Sequence, residues 1–162
     1  MPRPISLLVL DVDGVLTDGR LYFGARGEAL KVFDVRDGYG IVRLRRAGVE
    51  VAVISGRRSP MLAARCRELG VRHVHQGVPD KLAVLRRLCA RLKLGPAACA
   101  AVGDDLPDVP LLRAVAMSFA VADAHPAVRR IADHVTRAGG GRGAVREVCD
   151  RLLGRAAPRT AR

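Results

Sequence analysis

The sequence predicts an α/β fold, a doubly wound parallel sheet. Short apolar runs recur along the chain with helix-patterned segments between them, and parallel strands need such crossover helices. Those runs are built of Val, Leu, Ile and Ala; the chain is 49% apolar but only 3% aromatic. That composition suits strands covered on both faces. Punctuation agrees: Gly48, Gly70 and Gly95 stand where helices should end, and Pro60 and Pro126 where they should start. A chain of 162 residues can bury about 70% of its unfolded surface, enough for one independent core. We expect one domain over residues 1–154 and a disordered tail over 155–162.

The first strand is expected at 5–10 and runs into an acidic turn, DVDGVLTDG, at 11–19. Two short strands at 20–23 and 28–33, joined by Gly24-Ala25-Arg26-Gly27, then break the alternation as a projecting hairpin above that turn. A hairpin is marginal alone, so it should pack on something, such as another subunit. Further strands are expected at 49–54, 71–75, 98–102, 117–121 and 134–136. Helices are expected at 39–47, 60–69, 81–92, 108–114, 126–131 and 144–153, the last preceded by a glycine-rich connector at 139–143.

The first strand delivers Asp11 and Asp13 to the carboxyl edge of the sheet, where open α/β sheets bind ligands. On an extended backbone the two project to the same side. Converging carboxylates repel, so a cation or a shared proton is implied. Gly14 lets the chain turn sharply there. Three further signals fall at carboxyl ends of expected strands: Ser55-Gly56-Arg57, Asp80-Lys81, and Gly103-Asp104-Asp105 with Asp108 three residues on. Carboxylates without a Cys or His cluster suit a hard cation, Mg²⁺. A hydroxyl, a lysine and helix N-terminal amides suit a phosphate. Together they point to phosphoryl transfer through an aspartyl-phosphate.

These motifs, in this order, resemble the haloacid dehalogenase superfamily. The resemblance implies Asp11 as nucleophile and Asp13 as the acid and base. It also implies Ser55 and Lys81 as holders of the phosphoryl oxygens, and a metal bound by Asp11, the Asp13 carbonyl and Asp104. Asp105 is expected to support that shell or to orient Lys81. KVFDVRDGYGI at 31–41, GDDLPDVP at 103–110, AVADAHP at 120–126 and GGRGAVREVCD at 140–150 extend the likeness over nearly the whole chain. They resemble the capless family of phosphatases acting on an eight-carbon sugar-acid 8-phosphate in lipopolysaccharide synthesis. That family implies a homotetramer built around the hairpins, with each active site completed by a neighbour. Gly56 and Arg57 beside Ser55, and Arg142 in the glycine-rich segment, are then candidate substrate contacts.

Other readings stay in view. A nine-carbon sugar-acid 9-phosphate would use the same core. A signalling receiver domain also carries aspartates and a lysine, but its phosphorylated Asp ends a later strand than the acidic pair. The net charge of +12 raises nucleic acid as a partner, or a polynucleotide phosphatase, yet the arginines are dispersed and no aromatics interleave with them. Cys66, Cys89, Cys99 and Cys149 read as buried apolar residues of a reducing compartment. No stretch is long enough to span a membrane and the run at 5–10 is too short for a signal peptide, so a cytoplasmic protein is expected. Asp18, Asp34 and Asp37 either support the site from behind or, the reading preferred here, are turn residues. Gly38 and Gly40 either admit a ligand or merely begin a helix.

Overall fold

The computed structural model describes residues 4–156. Six parallel strands form the main sheet: β1 (Leu7–Leu10), β4 (Glu50–Ile54), β5 (His73–His75), β6 (Cys99–Gly103), β7 (Met117–Ala120) and β8 (His134–Val135). Their spatial order is β5-β4-β1-β6-β7-β8. The missing numbers, β2 (Tyr22–Gly24) and β3 (Gly27–Leu30), are the expected hairpin, paired antiparallel outside that sheet. β1 is central and wholly buried, with Leu7 opposite Glu50 on one side and Cys99 on the other. A four-residue apolar run can fill that place because both of its faces meet helices.

The helices are α1 (Val35–Arg46), α2 (Pro60–Glu68), α3 (Lys81–Leu92), α4 (Val109–Leu112), α5 (Pro126–Ile131) and α6 (Ala144–Ala156). Right-handed crossovers put α1 on one face and, once the chain doubles back past β1, α3 and α4 on the other. α1 packs on α6, and α3 on α4. Strands leave β1 in both directions, so its carboxyl end lies at the switch point of the sheet, where a crevice opens. Among the described residues no helix is long and apolar enough to cross a membrane.

Several boundaries differ from expectation. Helix α1 begins at Val35, not 39, because the Asp34 side chain accepts a hydrogen bond from the Arg36 N–H and starts it earlier. Gly38 and Gly40 therefore lie inside a helix, and both are buried. A Cβ on Gly38 would stand 2.2 Å from Arg65 Nη2, and one on Gly40 3.0 Å from Arg146 Cδ, so both serve close packing. α3 ends with Lys93 in the left-handed region (φ 55°), two residues before the glycine expected to do so. A short 3₁₀ turn at Leu106–Asp108 replaces the start of the helix expected at 108. α6 continues to Ala156; positions 157–162 of the expected tail lie outside the described residues.

Asp37 is no turn residue. It is buried on α1, and its Oδ1 accepts from the Arg146 N–H at 2.8 Å, tying α1 to the first turn of α6. Burial pushes its pKa up from 3.8 to about 6. At Asp37 the folded chain thus holds a proton that the unfolded chain has released, so this group's contribution to stability falls as pH rises from about 4 to about 6 and is level above that. Asp37→Asn keeps the acceptor and removes the buried charge. Its melting temperature is expected to be flatter across that window and above wild type at pH 7. A variant tracking wild type throughout would show that the charge carries no such cost.

Candidate active site

Every element that ends at the switch point brings one polar side chain. Asp11 follows β1, Ser55 follows β4, Asp104 follows β6, and Lys81 opens α3, where the Asp80 side chain accepts from the Ala83 N–H. Strand ends are rigid because their backbones are paired on both sides, so these groups meet in a fixed arrangement. Lys81 Nζ donates to Asp11 Oδ1 at 2.7 Å and to Asp108 Oδ1 at 2.6 Å. Asp108 Oδ2 accepts from the backbone N–H groups of Asp104 at 3.0 Å and Asp105 at 3.4 Å.

Asp108 is the residue to which the sequence assigned no role. Asp105 is expected to support the metal's shell or to orient Lys81, but it is exposed and accepts from the Leu106 N–H at 2.7 Å, capping the 3₁₀ turn, and the contact to Lys81 comes from Asp108. That turn carries Asp108 back into the interior, where it is 1% exposed. Only the spacing within GDDLPD hinted at it.

Asp11, Asp104 and Asp108 offer carboxylate oxygens that all lie within 4.8 Å of one another. Among the described residues, Lys81 is the single ammonium bonded within that group. Burial, then the charges of Asp11 and Asp108, pushes the Asp104 carboxyl up to about 8. Burial and the Asp108 charge also raise Asp11, against the opposing pull of Lys81. Burial works against the Lys81 ammonium, yet Asp11 and Asp108 outweigh it and hold its pKa above the ordinary lysine value. Two buried carboxyls that resist ionising beside the Asp108 carboxylate leave the cluster short of positive charge. A small divalent cation with oxygen preference meets that need. The Asp13 carboxylate stays outside this cluster.

Asp13 is held instead from the hairpin side. Its Oδ1 accepts from Lys31 Nζ at 2.5 Å, and Arg57 Nε stands 3.9 Å from its Oδ2. Arg57 is thus brought beside Asp13. Ser55 is buried, and its Oγ accepts from the Arg57 N–H at 3.2 Å. Gly56 is exposed, with room around its Cα. Lys31 and Glu28 escaped the sequence reading, because the hairpin's pairing register shifts between Tyr22 and Phe23 and a shift reverses which side chains face inward.

Arg142 is not brought to the carboxylates by its described contacts. Its guanidinium is exposed and 3.8 Å from Asp18 Oδ2, while its carbonyl accepts from Arg36 Nη2 at 3.0 Å. The segment before it is no loose connector. The Gly141 N–H donates to the Val15 carbonyl at 2.9 Å, and the Gly140 N–H to Asp123 Oδ1 at 2.9 Å. A Cβ on Gly140 would stand 1.8 Å from the Gly14 carbonyl oxygen, and one on Gly14 2.0 Å from Asp104 Oδ2. The glycine strap therefore lies flat on the acidic turn, and that turn lies against a carboxylate of the cluster. Gly140→Ala is expected to lower kcat/KM about 100-fold by displacing the turn, with the circular dichroism of the wild type. Full activity in that variant would show that the strap yields freely.

Comparison with known proteins follows the same lines. A family model described as haloacid dehalogenase-like hydrolase matches residues 71–144. The 3-deoxy-D-manno-octulosonate 8-phosphate phosphatase of Escherichia coli K12 is 53% identical over 149 residues, 92% of this chain and 79% of that protein. The crystal structure of the Yersinia pestis phosphatase of that name superposes with a TM-score of 0.90 at 52% identity, covering 92% of this chain and 80% of that one. The Moraxella catarrhalis phosphatase, in complex with a magnesium ion, a phosphate ion and a KDO molecule, gives 0.90 at 40% identity, covering 93% and 86%. With half its residues shared along nearly its whole length, on the same backbone, the chain belongs to the haloacid dehalogenase-like hydrolases and, within them, to the 3-deoxy-D-manno-octulosonate 8-phosphate phosphatase family.

Proposed function

We propose that this chain is a Mg²⁺-dependent phosphatase that hydrolyses 3-deoxy-D-manno-octulosonate 8-phosphate to the free sugar acid and phosphate, in lipopolysaccharide synthesis. The observation that carries this is the meeting of Asp11, Asp104 and Asp108 around Lys81 at the switch point. Asp11, the carbonyl of Asp13, Asp104 and Asp108 would hold the metal. Bound there, Mg²⁺ would supply positive charge to offset that of the phosphoryl oxygens.

A carboxylate oxygen of Asp11 attacks phosphorus, and the bond from phosphorus to the sugar oxygen breaks. Asp13 gives its proton to that departing oxygen. The Asp13 carboxylate then takes a proton from water, whose oxygen attacks phosphorus and frees the Asp11 carboxylate and inorganic phosphate. Lys81 and Ser55 hold the phosphoryl oxygens throughout. Gly56, Arg57 and Arg142 serve the sugar acid, whose carboxylate fits a guanidinium fork. Arg142 acts across a subunit boundary in a homotetramer assembled through the hairpins. Phe23, Leu30 and Val32 are exposed on that hairpin and its exit, which supports the assembly. Four free, buried cysteines suit the cytoplasm.

The test is phosphate release from the 8-phosphate with Mg²⁺ and with EDTA. Release that depends on Mg²⁺ supports the proposal. Faster turnover of a nine-carbon sugar-acid 9-phosphate keeps the mechanism and changes the substrate. Silence on every phosphate ester, with binding to DNA or RNA that is present near about 0.15 M salt and weakens as salt rises, would replace it with a nucleic-acid role.

A further inference from the structure

The hairpin is built inside out. Phe23, Leu30 and Val32 on its strands and exit face solvent, whereas Lys31 and Glu28 turn inward. The Lys31 side chain is 3% exposed and that of Glu28 10%. Lys31 Nζ reaches Asp13 Oδ1 at 2.5 Å and Glu28 Oε1 at 3.0 Å. Drawing an ammonium and a carboxylate out of water is costly, and apolar side chains would dock a hairpin as well or better. A charged pair in that position answers to what it touches.

We infer that Lys31 is a positioning residue for Asp13, and that Glu28 holds Lys31 in place for that task. This rests on the reading of Asp13 as the acid and base. A carboxylate that moves a proton in two successive steps must meet first the departing oxygen and then a water. A displacement of about 1 Å can cost about 100-fold. Asp13 follows the last strand residue by three positions, in a turn with no sheet pairing of its own. One of its oxygens is fixed by Lys31; the other faces Arg57 only at 3.9 Å, from a half-exposed guanidinium. Lys31 is thus the short, buried contact that sets the carboxylate's direction. The hairpin that carries it is separate from the catalytic sheet, so the acid is aimed from outside the scaffold that aims the nucleophile.

The inference is tested by leaving-group dependence. The sugar alkoxide is a poor leaving group and needs a proton as it departs; p-nitrophenolate does not. For both esters kcat/KM reports the steps up to aspartyl-phosphate formation. Lys31→Met is expected to lower kcat/KM on 3-deoxy-D-manno-octulosonate 8-phosphate about 100-fold, through kcat. The loss on p-nitrophenyl phosphate should be about tenfold smaller than that. Lys31→Arg, which keeps a cation, should recover part of the loss. Glu28→Gln should repeat the pattern more weakly. In an Asp13→Asn background Lys31→Met should add little, because the two act as one unit.

Equal losses on both esters would overturn the inference and make Lys31 a general support of the fold. A rise in KM alone would make it an anchor for the sugar acid. A full further loss in the Asp13→Asn background would separate it from Asp13. Wild-type kcat/KM in Asp13→Asn would instead overturn the reading of Asp13 itself, and the inference with it. The single and double variants therefore fail separately.

Discussion

Asp11→Asn is expected to abolish phosphate release, with kcat falling at least about 10⁴-fold, while the chain stays folded. The amide matches the carboxylate in shape but is no nucleophile toward phosphorus. The same change removes one negative charge from a cluster in which burial and neighbouring carboxylates already push Asp104 up to about 8. Without metal, the variant should therefore unfold at a temperature no lower than wild type, since Lys81 keeps its 2.6 Å bond to Asp108. Phosphate release and thermal unfolding in EDTA check both halves. Residual turnover near the wild-type rate would remove Asp11 from the mechanism. A collapse of the melting temperature would make the loss one of fold rather than chemistry.

Asp108→Asn should be the next most damaging change, although the side chain need not touch the sugar phosphate. Its two oxygens have different tasks. Oδ1 meets the Lys81 ammonium and Oδ2 meets two backbone N–H groups at 104 and 105. Both tasks need an acceptor, and an amide has one acceptor and one donor group. Whichever way the amide turns, one buried contact becomes donor against donor. Lys81 then loses its aim, and Asp104 its support beside the metal. Activity is expected to fall about 100-fold and the Mg²⁺ concentration for half-maximal rate to rise about 10- to 100-fold. High Mg²⁺ should restore part of the rate. A titration of rate against Mg²⁺ reads both, and an unchanged half-maximal concentration would place Asp108 outside the metal's surroundings.

Much of this site could be read from the chain alone because its parts are short and local. A buried strand followed by an acid needs only an apolar run and a carboxylate, and β1 with Asp11 is that. The same holds for Ser55 after β4 and Asp104 after β6. Lys81 is preceded by Asp80, a helix-starting residue whose side chain does cap α3. Alternation of strand and helix then brings all four to one edge, since parallel strands point their carboxyl ends the same way.

What escaped depends on direction rather than position. Asp105 and Asp108 sit in one motif, and the 3₁₀ turn decides which faces in. Asp34 and Asp37 are three residues apart, yet one caps a helix at the surface while the other is buried against the first turn of α6, more than a hundred residues along the chain. Gly38, Gly40 and Gly140 look alike in sequence, but each is required by a different neighbour brought close by the fold. The sequence by itself determined the sheet, its order of strands and helices, and the chemical types gathered at its edge, because periodicity and strand polarity are local properties of the chain. Only the tertiary structure decided that Lys81 is oriented by Asp108, that Asp13 is gripped by Lys31, and that a glycine strap lies on the acidic turn, because contacts between distant segments depend on register and packing that no local pattern records.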